Sequence, residues 1–332
     1  MSSQSVPINQ VEDAAIWIHP TDPEKSLLLI ANKTHGMELH DFNGVLIKHY
    51  DDGKPLAGLD VLYDFPLGKE KIDLAIAACP SDRDSGVRVW RIDPAKDRIT
   101  DVTAKGIIPV LDDAEPLGIA AYHSRKTGAC YFFVTTEEGK IEQYELAADA
   151  DGQISARRVR QLSLPGKVKA GVADDENAVI YFALEKEGVY RFAAEPDRAT
   201  SGQLVIKVND HGLIPDFAGI TLYGASGGKG YLIVVSQGPK GVQSTLGIYQ
   251  RQAPNEYVLT VSPSLGGMGG IYSSSGIAVT NRPTSVAFPQ GVIAAKNRIN
   301  SNGIEDYKLY SWKEIAAAGG LVVDTDWSPR SR

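Results

Sequence analysis

Short apolar runs recur along the whole chain, and each is rich in β-branched and aromatic residues. Runs of this length and composition are typical of buried strands rather than helices, which need longer segments with helical periodicity. A more alternating segment follows each run and usually begins at a glycine, as at Gly86–Trp90 and Gly139–Tyr144. The predicted buried strands are Leu27–Ala31, Ile72–Ala78, Tyr131–Val134, Val179–Ala183, Tyr231–Val235 and Val292–Ala295.

A small-residue motif precedes each buried run, and successive copies start 44 to 60 residues apart. Six units of this size, each with about four short strands, are the signature of a propeller. The sequence therefore predicts an all-β, six-bladed β-propeller with four-stranded antiparallel blades, formed as a single domain by residues 1–332. The six copies are Asp13–Ile16, Ala57–Asp60, Leu117–Ala120, Ala170–Ala173, Ala218–Thr221 and Ser275–Ala278.

Five of the six motifs contain a glycine, and the first has Ala14 instead. Such small residues suit the innermost strand of a blade, where backbones crowd around the propeller axis and a larger side chain would clash. One short helix is predicted at Ser311–Ala318, because good helix formers are followed there by Gly319 and Gly320.

Composition narrows the function classes. The chain has 34 basic and 41 acidic residues and a net charge of −7, which lacks the basic field that sequence-independent nucleic-acid binding requires. No apolar run approaches a membrane span, and the first residues lack the apolar stretch of a signal peptide. We expect no nucleic-acid or membrane partner. Cys79 and Cys130 are interpreted as two buried small residues, not as a disulfide framework or metal site.

Inner strands of a propeller begin around one end of the central channel, so the residues before the small positions converge there. We therefore expect a small-molecule ligand to bind in this channel. The predicted inner ring is Asp13, Ala57, Leu117, Ala170, Ala218 and Ser275. A second ring comes from the loops after the buried strands, namely 32–35, 80–83, 136–137, 185–187, Gln237 and 296–298.

Several stretches, in order over almost the whole chain, resemble the β-propeller phytases. They include Glu12–Trp17, Tyr63–Leu67, Tyr122–Gly128, Glu142–Glu145, Val172–Glu176, Ala194–Pro196, Gly219–Thr221 with Tyr223, Gly228–Leu232 and Ser236–Gly238. The resemblance implies a hydrolase that removes phosphate from phytate, using calcium ions to bridge substrate phosphates and activate water. It also implies an extracellular or periplasmic location, which the residues themselves leave open.

Candidate site residues combine the resemblance with the two rings. By position, Asp13 matches a calcium ligand of the family, with Glu12 beside it, and Asp60 and Asp216 fall on acidic positions. Lys33 matches a phosphate-contacting lysine. Asp13 and Glu185 are the candidate catalytic carboxylates. The candidate substrate-binding residues are Lys33, His35, Arg83, Gln237, Lys296 and Arg298.

The chain also departs from the family pattern at the ring. Ala170 and Ala218 stand at glutamate positions, and Leu117 stands at a phosphate-contacting tyrosine position. Pro80 replaces an arginine, Glu137 replaces a lysine, and serines 273–275 replace a cluster of aspartates. Calcium needs about six to eight oxygen ligands, mostly carboxylates, so these losses predict weak calcium binding at most.

Three functions of different classes follow from the sequence. The first is a phosphoric monoester hydrolase of the phytase type that runs with fewer calcium ions. The second is an enzyme of other chemistry, such as a lyase, lactonase or cyclase, acting on a small anionic or sugar-like molecule. The third is a non-catalytic binding propeller. Propellers host all three, and the fold does not choose among them.

Overall fold

The computed structural model describes residues 10–81, 84–95, 98–112, 114–264, 269–299, 303 and 305–330. These residues form six antiparallel sheets arranged around one axis. Each innermost strand contacts the innermost strands of both neighbouring blades, and the last blade meets the first. The predicted all-β, six-bladed propeller is confirmed.

Each blade runs from its innermost strand outwards in chain order. Blade 1 has β1 (Val11–Trp17), β2 (Leu27–Asn32), β3 (Gly36–His40) and β4 (Leu46–Tyr50), and blade 2 has β5 (Leu59–Leu67), β6 (Glu70–Cys79), β7 (Gly86–Asp93) and β8 (Arg98–Asp101). Blade 3 has β9 (Ile119–His123), β10 (Cys130–Thr135), β11 (Lys140–Ala148) and β12 (Ile154–Ser163), and blade 4 has β13 (Val168–Asp174), β14 (Val179–Leu184), β15 (Gly188–Ala193) and β16 (Gln203–Lys207). Blade 5 has β17 (Phe217–Ala225), β18 (Lys229–Ser236), β19 (Thr245–Gln250) and β20 (Tyr257–Val261), and blade 6 has β21 (Ile277–Thr280), β22 (Val292–Asn297) and β23 (Asp306–Ser311).

Blade 6 differs from the expected four strands, since its described residues form three. Helix α1 (Trp312–Gly319) follows β23 directly and ends at Gly320, which adopts the left-handed conformation with φ of 64°. Trp312 and Ile315 on this helix are buried in a cluster with residues of blades 5 and 6. In the described ranges, no helix has the length and apolar character needed to cross a membrane.

Close backbone approach between blades explains the small-residue motif. A methyl group added at Gly58 would lie 2.4 Å from the backbone nitrogen of Ile119 in the next blade. One added at Gly276 would lie 2.7 Å from the carbonyl oxygen of Glu12, across the junction between blades 6 and 1. The predicted axial crowding is confirmed, and the second strands beside it are buried; β2, β10 and β14 are buried at every residue.

The C-terminal strap, residues 321–330, crosses the end of the channel where the inner strands finish. The hydroxyls of Tyr231 and Tyr223 in blade 5 accept hydrogen bonds from the backbone amides of Val322 (2.9 Å) and Asp324 (3.0 Å). Asn281 of blade 6 donates to the carbonyl oxygens of Asp324 (2.6 Å) and Trp327 (2.7 Å). The strap thus begins its path anchored to blades 5 and 6.

Farther along the strap, Trp327 and Arg330 reach the opposite side of the ring. The indole of Trp327 donates to Glu176 of blade 4 (3.2 Å) and lines the channel cavity. The guanidinium of Arg330 donates to both carboxylate oxygens of Asp73 in blade 2 (2.6 and 2.5 Å) and to the carbonyl oxygen of Ile18 in blade 1 (2.7 Å). The strap therefore covers the far end of the channel and ties the first two blades to the last two.

Replacing Arg330 with alanine should lower the free energy of unfolding by roughly 3 kcal/mol, because Asp73 would keep its buried charge without its bidentate partner. Urea unfolding followed by tryptophan fluorescence measures this change. The matched control is Arg157→Ala, which removes an ion pair whose arginine is 76% exposed and should cost about 0.5 kcal/mol or less. Equal losses in the two variants would contradict a closing role for the strap.

Candidate functional site

The open end of the channel, called the channel mouth below, lies where the inner strands begin. All six residues of the predicted inner ring line it, together with side chains from the loops around them. The lining residues are Glu12, Asp13, Lys33, Ala57, Gly58, Leu117, Glu137, Lys167, Lys169, Ala170, Ala218, Gln237, Ser273, Ser275, Lys296 and Arg298. Five of these side chains are cationic and three are acidic, so the lining itself has an excess of positive charge.

Six of the sequence-predicted site residues come together at the mouth: Glu12, Asp13, Lys33, Gln237, Lys296 and Arg298. Glu185 lies behind the lining, where it holds a mouth lysine. The other candidates lie elsewhere. His35 turns to Asp51 (Nδ1 to Oδ2, 3.2 Å), Asp216 pairs with Lys186, and Asp60 lines the channel below the mouth. Arg83 lies outside the described residues.

A cluster of ion pairs forms the side of the mouth made by blades 1 and 6. Glu12 lies between the ammonium groups of Lys33 (3.3 Å) and Lys296 (3.5 Å). Lys296 also approaches Glu305 (3.7 Å), which holds the guanidinium of Arg298 at 2.9 Å. Burial alone would raise the pKa of Glu12, but Lys296 and Lys33 outweigh it and hold this pKa below its usual value. Glu12 is therefore ionised at neutral pH, and it holds Lys33 and Lys296 beside each other.

Lys167 and Lys169 form the opposite side of the mouth and were not predicted from the sequence. Lys169 lies 3.0 Å from Glu185 and 3.5 Å from the side-chain oxygen of Gln237, while Lys167 pairs with Glu137. The repeat could have predicted the position of Lys169. It precedes Ala170 just as Glu12 precedes Asp13, so aligning the motifs one residue farther upstream brings it to the mouth.

The surroundings of two mouth lysines disfavour the charged form of the ammonium group. Burial, followed by the nearby ammonium of Lys169, lowers the pKa of Lys167. Burial also lowers the pKa of Lys296, whose side chain is 2% exposed, despite the attraction of Glu12 and Glu305. Both shifts mean that the charged lysines lack a sufficient counter-ion. An anion entering the mouth would supply one.

Asp13 and Asp60 bridge neighbouring inner strands through backbone amides. Asp13 accepts hydrogen bonds from its neighbour Ala14 (2.9 Å) and from Leu59 of blade 2 (3.2 Å). Asp60 accepts from Val61 (2.7 Å) and from Ala121 of blade 3 (2.8 Å). Each carboxylate thus uses one oxygen within its own strand and the other across the blade junction, which gives both residues a structural role beside any chemical one.

Burial in the channel raises the pKa values of three aspartates. Desolvation raises the pKa of Asp13 to about 7 against the pull of the two amides, and raises that of Asp60 to about 6. Asp175, nearer the strap, accepts one backbone hydrogen bond from His123 (3.1 Å), and burial raises its pKa to about 7. Cations therefore ring the mouth, whereas acids that are partly protonated near neutral pH lie inside the channel.

Comparison with known proteins gives the family. The family model described as Phytase matches residues 3–331. The chain belongs to the phytase family. It is 35% identical to the 3-phytase of Bacillus subtilis (strain 168) over 318 residues, which cover 94% of this chain and 82% of that one. The family assignment made from the sequence is confirmed, and the chain is a phytase-like propeller hydrolase by membership.

Similarity to solved structures shows the fold alone. The β-propeller domain of Cps50 (Swd1) from Myceliophteria thermophila is 12% identical to this phytase-family chain. The match covers 91% of this chain and 83% of that one, with a TM-score of 0.50. Identity this low identifies a propeller and carries nothing about the site.

The candidate metal-binding acids of this phytase-family chain do not fit a calcium site. Calcium takes about six to eight oxygen ligands from several carboxylates and carbonyls. Here Glu12 is held by two lysines, both oxygens of Asp13 accept backbone amides, and Asp216 pairs with Lys186. Within the described ranges, no group of three or more acidic, histidine or cysteine side chains could hold a metal ion.

Removing calcium should therefore cost this phytase-family chain little stability, because a ligand stabilises a fold only in proportion to its binding. We expect the melting temperature to change by less than about 2 °C when EDTA replaces millimolar calcium, as measured by differential scanning calorimetry. A fall of tens of degrees on chelation would contradict the weak calcium binding expected from the sequence.

Replacing Asp175 with asparagine tests the channel acids. The folded-state pKa is raised, so wild-type stability from this group is present at low pH and is lost as pH rises from about 4 to about 7. The asparagine side chain keeps an oxygen for the His123 amide but does not ionise. In urea titrations, we expect the variant to gain free energy of unfolding relative to wild type as pH rises from about 4 to about 7, and to keep that gain at higher pH. A difference that is independent of pH would show that Asp175 ionises normally.

Proposed function

We propose that this chain hydrolyses phosphoric monoesters at the channel mouth and that lysine and arginine hold the substrate phosphate directly, without calcium as an intermediary. The observation that carries the proposal is the set of five cationic side chains that line the mouth. Family membership supports hydrolase activity, and the related Bacillus protein is named a 3-phytase. Phytate and smaller phosphate esters are the proposed substrate class.

The charge arrangement supports direct phosphate binding. The ammonium of each mouth lysine has three N–H donors, and an ion pair with one carboxylate uses only part of that capacity. Lys33 and Lys169 are 41% and 20% exposed, so both can reach an entering anion without rearrangement of the strands. Hydrogen bonds from cationic donors to phosphate oxygens are among the stronger polar contacts in proteins.

The lowered pKa values of two mouth lysines are a second argument for direct phosphate binding. Lys167 and Lys296 hold their protons less readily than ordinary lysines because burial and neighbouring cations oppose the charge. A bound phosphate would favour the charged form of both groups, and that gain is part of the binding free energy. A dianion bound at the mouth would therefore neutralise cations that the protein itself leaves incompletely paired.

Asp13 is the proposed base and Lys296 the proposed acid. In the reaction, a water oxygen forms the new bond to phosphorus as the ester P–O bond breaks. Asp13 takes the proton of the water, because a carboxylate with a pKa of about 7 is suited to that transfer near neutral pH. Lys296, with its lowered pKa, donates a proton to the departing ester oxygen.

A second candidate, a binding propeller without turnover, is favoured by one observation. Both oxygens of Asp13 already accept backbone amides, and this arrangement is complete without any substrate. The same mouth would then bind a phosphorylated molecule through the same cations. Binding to phytate with no phosphate release, under conditions with and without calcium, would favour this candidate over hydrolysis.

Phosphate release from p-nitrophenyl phosphate and from phytate, measured in EDTA, tests the proposal. We expect release in EDTA, with a rate that rises with pH through about 7 as Asp13 loses its proton. Lys33→Ala should raise KM by about tenfold, since it removes one charged hydrogen bond to the substrate phosphate. Asp13→Asn should lower kcat by at least about a hundredfold.

The control is Lys25→Ala. Lys25 lies 3.3 Å from Asp22, so it matches the Lys33–Glu12 pair in partner charge and distance, but it does not line the mouth. Its replacement should leave KM unchanged. Activity that appears only with calcium would overturn direct phosphate binding. Folded Asp13→Asn and Lys33→Ala proteins with full activity would place the site elsewhere.

A further inference from the structure

A chain of buried polar side chains lies behind Lys33 in blade 1. His40 and Glu38 are neighbours on one face of β3, and Asn32 ends β2. All three residues have no exposed surface. The ring nitrogen Nε2 of His40 lies 2.9 Å from Oε2 of Glu38, and the side-chain amide of Asn32 donates to Oε1 of Glu38 at 3.2 Å. The three side chains form one connected network.

Asn32 organises the turn that carries Lys33. Its side-chain oxygen accepts from the backbone amide of Thr34 (2.9 Å), from the Thr34 hydroxyl (3.0 Å) and from the backbone amide of His35 (3.2 Å). Its carbonyl oxygen accepts from Leu56 at 3.0 Å. The side-chain oxygen faces the turn and the NH₂ group faces Glu38, so the donors of the turn and the acceptor on Glu38 together hold the orientation of Asn32.

The network has apolar neighbours on the β2 side, whereas on the β4 side Glu38 is opposite His49. In the sheet, Glu38 is opposite Ile30 and His40 is opposite Leu28, and both partners belong to the hydrophobic cluster between blades 1 and 6. A carboxylate in such a place is costly unless hydrogen bonds satisfy it. Apolar side chains would fill this space at lower cost, so packing alone does not account for Glu38. Its polar contacts account for it: Glu38 accepts a hydrogen bond from Asn32 and contacts the ring nitrogen of His40.

We propose that Glu38 is a positioning residue for the channel mouth: through Asn32 it fixes the turn at residues 33–35 and so the approach of Lys33 to the substrate phosphate. The inference rests on the proposed function for its consequence in catalysis. Its structural step, from Glu38 to the turn, is independent of any activity. Glu38 touches no substrate and is not itself catalytic.

Kinetics of Glu38→Met and Glu38→Gln test the consequence. Methionine has a similar length but offers no comparable acceptor, so we expect KM for p-nitrophenyl phosphate to rise about fivefold, with kcat within about twofold of wild type. Glutamine keeps an acceptor for Asn32 and can donate to the other tautomer of His40. Glu38→Gln should therefore stay within about twofold of wild type in both constants.

A double-mutant cycle separates positioning from general destabilisation. In the Lys33→Ala background, Glu38→Met should change KM by less than about twofold, because the side chain that it positions is absent. The control is Glu142→Met, which removes an equally buried carboxylate from blade 3. Glu142 contacts Leu111, Lys140 and Arg158, and none of these residues lines the mouth. This control should leave the KM unchanged. An unreduced effect of Glu38→Met without Lys33 would overturn the proposal.

Amide hydrogen exchange gives a readout that needs no activity. Glu38→Met should speed exchange at Thr34 and His35 at least about tenfold relative to the paired amides in the middle of β2, whereas Glu142→Met should not. If Glu38→Met does not fold, Asn32→Ala replaces it with the same expectations. Unchanged exchange at both amides overturns the inference. Faster exchange in a protein that neither binds nor cleaves phosphate esters sustains the positioning step and refutes the proposed function.

Discussion

Neighbouring inner strands approach each other so closely that a side chain does not fit between their backbones at the small positions, and the rest of the structure depends on this approach. At Gly58 and Gly276 the next blade lies where a side chain would begin. This spacing closes six small sheets into a ring and narrows the channel. The residues before the small positions come together at the channel mouth, and all six of them line it. The chemistry of the mouth is set by these six positions together with the side chains that the surrounding segments place beside them.

The same closeness explains the position of the channel acids. Asp13 and Asp60 extend across a blade junction and accept an amide of the next inner strand. An aspartate at such a position strengthens the ring, and burial there raises its pKa. The buried position at the blade junction thus explains both properties of these aspartates: they help to close the ring, and they titrate nearer to neutral pH than ordinary aspartates.

The sequence predicted the ring and most of the mouth, because both follow from a repeat in which every unit obeys the same spacing rule. Lys169 was missed because only the small positions were aligned, and not the residues before them. The strap was missed for a different reason. Arg330 is 257 positions from Asp73 and 312 from Ile18, and no local pattern in the last residues indicates such partners. Glu185 was predicted as a catalytic carboxylate, and the structure places it 3.0 Å from Lys169.

The ion pairs of the mouth bear on which anions can bind. Each lysine or arginine there is already held by a carboxylate, as Lys33 is by Glu12 and Arg298 is by Glu305. Burial still lowers the pKa values of Lys167 and Lys296 despite these pairs, so the cations are not fully neutralised and a monoanion supplies only one further charge. A phosphoric monoester carries close to two charges above its second pKa of about 6 and has three terminal oxygens, so it can engage cations of both sides at once. The existing pairs hold the lysines in place and reduce the ordering cost of binding. Under the proposed function, a mouth of paired cations would therefore favour a dianion, which can contact cations on both sides, over a monoanion.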